Sequence, residues 1–153
     1  MLATLNMIYF SLVSILVMFG AIVFYLSTSG SITPDPEFAQ VLRYVLIMVL
    51  PIGLGTGYFI FKKQMEAIDS TLTLHEKLMK YQTAVLVRSG CFEMPGLLAA
   101  VAALITGDIS LLLFTAIVVV IFLMVRPSVY TITTDLNLSQ TERSMLENPS
   151  SSN

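Results

Sequence analysis

The stretch LATLNMIYFSLVSILVMFGAIVFYL, residues 2–26, contains no charged side chain. About 20 predominantly apolar residues suffice for a helix to cross the hydrocarbon core of a bilayer. A cleaved leader fits poorly: no basic segment precedes the apolar core, the core exceeds the usual ~7–15 residues, and no A-x-A site follows it. A retained transmembrane helix is therefore expected over about residues 4–26. The rest of the chain has the same bias. Of its 153 residues, 56% are hydrophobic and only 12% charged, with a mean hydropathy of +0.83. A soluble domain carries about a quarter charged residues, so lipid is the expected solvent for the excess apolar surface.

Three more apolar stretches follow, giving expected spans at about 43–61, 88–106 and 109–126. The expected fold is all-α: a polytopic membrane protein with four transmembrane helices in an antiparallel bundle. Residues 1–126 form the transmembrane domain, with a helical hairpin over 62–87 extending into the cytoplasm. Residues 127–153 read as a polar cytoplasmic tail, partly disordered, with 148–153 the most so. Seven of the eight basic residues lie in the 62–88 segment or after the fourth stretch, and Arg43 is the exception. The positive-inside rule then places both termini in the cytoplasm.

Several helix ends are legible. Asp35-Pro36-Glu37 supplies an N-cap, a proline at the first helical position and an acid in the first turn. Asp69-Ser70-Thr71 reads as a break. Thr73-Leu74-His75-Glu76 and Ser139-Gln140-Thr141-Glu142 each fit a capping box, the second leading a short amphipathic turn with Met145 and Leu146 on one side. Within the hairpin, Met65, Ile68, Leu78 and Met79 are expected to face inward.

The third span includes a carboxylate, Glu93, five residues after Arg88. At about 1.5 Å per residue it lies roughly 7–8 Å inward from that arginine. A tight hairpin around Gly107 would set positions summing to about 214 level with each other, placing Arg88 beside Arg126. Glu93, Arg88 and Arg126 are thus the candidate intramembrane polar site, as a structural tie between helices or as a titrating carboxylate. Gly53 and Gly57 form a small-xxx-small pair suited to helix packing, with Gly55 on another face. One cysteine and one histidine exclude a disulfide framework and a Cys/His metal cluster. No metal site, cofactor or catalytic residue is expected, and the net charge of −2 argues against nucleic acid.

Arg88, Glu93, Pro95, Thr106-Gly107, Arg126-Pro127 and Asp135-Leu136-Asn137-Leu138 together resemble a family of small uncharacterised four-span bacterial membrane proteins. The resemblance covers residues 78–146, and Glu93-Met94-Pro95 departs from the glutamate-glycine-proline of that pattern. It implies a four-span topology in a bacterial inner membrane and no mechanism. The expected function is that of a non-enzymatic accessory or scaffold subunit of a membrane complex. Its partners would be the lipid bilayer and either other membrane proteins or further copies of the chain. The alternative is a small proton- or ion-translocating protein using Glu93.

Overall fold

A computed structural model describes residues 2–69 and 71–147, and among them there is no strand. The described residues form six α-helices: α1 (Leu2–Thr28), α2 (Pro36–Glu66), α3 (Leu74–Thr106), α4 (Leu112–Met124), α5 (Val129–Asp135) and α6 (Gln140–Glu147). A 3₁₀ turn, Ile109–Leu111, leads into α4. The segment 148–153, expected to be disordered, and the side chains of Met145 and Leu146 lie outside the described residues.

Local chemistry sets most helix ends. Asp35 caps α2 by accepting from the Phe38 amide at 3.0 Å, with Pro36 next in line. Thr73 and Glu76 close a full capping box at the start of α3. Gly107 ends α3 in the left-handed conformation at φ 67°, where a side chain would be strained and would meet Pro34. Asn137 takes the same conformation after α5, at φ 47°. There the Leu138 amide reaches back to the Thr133 carbonyl and the Asn137 amide to that of Thr134, a Schellman closure. Leu138 thereby turns inward onto the core.

α1, α2 and α3 are each long and apolar enough to cross a membrane. The expected fourth span, 109–126, is shorter: α4 stops at Met124, and α5 leaves it at 79°. Pro127 accounts for the stop, because it cannot donate to the Leu123 carbonyl and it disfavours helical geometry in the residue before it.

The packing centres on α3. α2 runs antiparallel to it, from the Asp35 amide on the Thr106 carbonyl at one end to Phe61 against Tyr81 at the other. α4 and α1 pack together on another side of α3, with Leu16 and Val118 both against Gly96. Helices α1 and α2, although consecutive, make no comparable interface, so α3 separates them rather than all four closing a ring. α1 and α2 accordingly present large apolar side chains outward, Met18, Tyr25, Met48 and Phe59 among them. The level rule about Gly107 holds closely, since Phe92 packs edge-on against Phe122. Met65, Ile68 and Leu78 pack inward, but Met79 faces out, 100° around the helix from Leu78.

Candidate functional site

At the end of the bundle where α2 meets α3, Arg88 is 4% exposed. Its guanidinium lies over the Phe61 ring, 4.1 Å from the centroid. Nη2 donates to the Val125 carbonyl at 3.2 Å. That carbonyl has no helical partner, because α4 has just ended, and the positive charge also suits the negative end of the helix dipole. The Tyr9 hydroxyl serves the same helix end by donating to the Phe122 carbonyl. Two distant side chains thus complete the C-terminus of α4.

The segment after α4 closes over this site. The Tyr81 hydroxyl donates to Asp135 Oδ2 at 3.4 Å, and the Asp135 carboxylate lies within the field of Arg88. Burial nevertheless holds the Asp135 carboxyl above its usual range, with Arg88 and Tyr81 opposing. Ile132 and Leu136 are buried in the same core as Tyr81 and Phe61. One turn further out, Lys77 Nζ donates to Glu142 Oε1 at 2.8 Å, with side-chain exposures of 8% and 22%. The described part of the polar segment is therefore folded, tied to α3 by Tyr81 and Lys77 and sharing the core with Phe61 of α2.

The expected polar site is dispersed. Arg88 is buried and engaged with Val125 and Phe61, with Asp135 within its field. Arg126 is exposed, and Glu93 is partly exposed at the edge of the outward face of α3. Neither makes a hydrogen bond or ion pair among the described residues, so the anticipated tie from Glu93 to an arginine is not formed. The reason is register: five residues separate Arg88 and Glu93, which puts them about 140° apart around α3. Gly53 and Gly57 lie against α3, where a Cβ on Gly57 would come within 2.8 Å of Phe92 and 2.9 Å of Cys91 Cβ. Sequence reading assigned no site role to Tyr81, Asp135, Lys77 or Glu142; the signal available was apolar Ile132, Leu136 and Leu138 just before the Ser139–Glu142 capping box. At the opposite end, Arg43 pairs with Asp108 at 2.7 Å and also reaches Ser110.

Chemically the site is an anchor. No group of His, Cys, Asp and Glu among the described residues could hold a metal ion. Glu142 is pulled down to about 2 by its hydrogen bond to Lys77, reinforced by the Ser139 backbone and hydroxyl. A depressed carboxyl contributes stability that is present above its usual 4.5 and lost as pH falls toward about 2. Proteolytic protection of α6 should therefore fall through that window in the native protein. Glu142→Gln should start with weaker protection and lose the transition, and an unchanged acid profile would contradict the assignment. No family model, curated protein or solved structure matches the chain.

Proposed function

We propose that this chain is a four-crossing integral membrane protein that serves as a non-enzymatic accessory or scaffold subunit. In this reading α4 is the fourth crossing, and the lysine-rich end with both termini faces the cytoplasm, in a bacterial inner membrane. The cytoplasmic ends of α2 and α3, capped by α5 and α6, form the platform that a membrane-protein partner meets. The observation that carries the reading is how the polar groups between the helices are used. Thr115 donates to the Gly96 carbonyl, Thr106 to that of Ala102 and Tyr9 to that of Phe122, so these donors serve the chain's own backbone. Around Thr115 and Thr106 the described residues are mainly apolar, and the polar groups near Tyr9, namely Arg88, Tyr81 and Asp135, cluster at one end of the bundle rather than along it.

Affinity purification from the native membrane tests the reading. A stoichiometric protein partner is expected, and it should be lost when residues 127–153 are deleted. Purification of the chain alone would count against a subunit role. A second reading, a proton pathway through Glu93, draws on that carboxylate having no partner among the described residues. In proteoliposomes the scaffold reading predicts no proton flux above protein-free vesicles. A flux abolished by Glu93→Gln would establish the pathway instead.

A further inference from the structure

A crease of about 370 Å³ opens between α2 and α3, lined by Gln64, Ala67, Met79, Lys80 and Thr83. Its size falls in the range of small-ligand sites, about 300–1,000 Å³. Neither the Lys80 ammonium nor the Gln64 amide makes a hydrogen bond or ion pair among the described residues. The two carboxylates in the field of Lys80 are otherwise engaged: Asp69 accepts from the Thr71 amide, and Glu76 accepts from the Thr73 amide and hydroxyl. The crease thus presents two free donors, one of them cationic.

Below the crease the same face of α3 turns apolar. Lys80, Thr83, Val87, Gly90, Met94, Leu98 and Val101 recur at three- and four-residue spacing, which aligns them along one stripe. All are exposed. Gly90 makes a notch in the stripe, since a Cβ built there meets nothing within 4 Å. Thr83 and Gln64 lie just beyond the level of Arg88 and Phe61, where basic residues end and the apolar stretches begin. In the membrane reading given above, on which this inference rests, that level is the headgroup region.

We propose that the crease at Gln64 and Lys80, continued by the stripe through Val87, Gly90 and Met94, binds one phospholipid with an anionic headgroup. The phosphate would take the Lys80 ammonium and the Gln64 amide, and an acyl chain would lie along the stripe across Gly90. Charge complementarity selects the occupant: the polar end offers hydrogen-bond donors to an anion, and the stripe below it offers hydrocarbon contact, with Glu93 at its edge.

Native mass spectrometry of the full chain in detergent tests this, with phosphatidylglycerol, phosphatidylcholine or inorganic phosphate added. One phosphatidylglycerol per chain is expected to be retained in preference to phosphatidylcholine. Lys80→Ala should weaken phosphatidylglycerol binding about fivefold and leave phosphatidylcholine unchanged. Gly90→Leu, which fills open space and should fold normally, should weaken both lipids. Lys62→Ala, whose ammonium instead faces Glu66 at 4.0 Å, should change neither. Wild-type binding by both Lys80→Ala and Gly90→Leu would overturn the site. Competition by inorganic phosphate as effective as that by phosphatidylglycerol would overturn the lipid in favour of a free anion. A chain that is monodisperse in detergent-free buffer would remove the membrane reading itself. A chain that inserts into bilayers yet shows no preference for phosphatidylglycerol would overturn the lipid site alone.

Discussion

Arg88→Ala should lower the stability of the detergent-solubilised protein by roughly 2–4 kcal/mol and release the segment after α4 to proteases. A hydrogen bond involving a charged group contributes about 1.5–3 kcal/mol, and a desolvated cation–π contact up to about 2. Removing one partner from a buried charged set costs about 3–5 kcal/mol when the survivor stays unpaired. The expected cost is lower because Asp135 makes no ion pair with Arg88, is only half-buried and can bind a proton. That proton gives the deficit a pH signature. Arg88 opposes the upward shift of the Asp135 carboxyl, so its loss raises that carboxyl further above its usual 3.8. A raised carboxyl favours folding at low pH and loses that contribution as pH rises. The deficit should therefore be largest near neutral pH and shrink in acid. Arg88→Met keeps a stem against Phe61 and should recover part of the packing. Arg88→Lys keeps the charge without the planar fork and should fall between wild type and alanine. An Arg88→Ala protein within about 0.5 kcal/mol of wild type, with equal protection after residue 126, would contradict the anchoring role.

The reach of the sequence can be judged at these same residues. Capping motifs act within four residues of chain, and so Asp35, Thr73, Gly107 and Ser139 mark helix ends in the linear text as they do in space. The facing levels of α3 and α4 follow from one tight turn and a fixed rise. The setting of Arg88 depends instead on Phe61 and on the Val125 carbonyl, brought to it by the end of α4. No local pattern encodes that return, and hydropathy drew attention to Glu93, the charge nearest the apolar run. Hydropathy also could not say which sides of α1 and α2 meet protein. A helix apolar all round suits lipid and protein alike, and α1 packs on α3 and α4 rather than on its neighbour in sequence.

Gly57→Leu and Gly55→Leu make the same chemical change two residues apart, with opposite expected results. At Gly57 the first added carbon meets Phe92 at 2.8 Å and the Cβ of Cys91 at 2.9 Å. Cys91 Cβ is fixed to the backbone of α3, and the Phe92 ring is braced edge-on by Phe122, so neither can yield cheaply. α2 has to move away from α3, its principal packing partner. Overpacking a tight contact costs about 1–3 kcal/mol. Leucine at Gly57 should reach or exceed the top of that range, because the displacement also draws Phe61 off Arg88. Gly55 has nothing within 4 Å of a built Cβ, and replacing a mid-helix glycine removes a propensity cost of about 1 kcal/mol. Gly55→Leu should therefore match or exceed wild-type stability. Combined with Arg88→Ala, Gly57→Leu should cost less than the sum of the two, since both break the Phe61–Arg88 contact, whereas Gly55→Leu should add independently. Thermal unfolding of the three single and two double variants in one detergent measures all of these differences. Equal destabilisation by leucine at Gly55 and Gly57 would mean that α2 does not meet α3 through the Gly57 face.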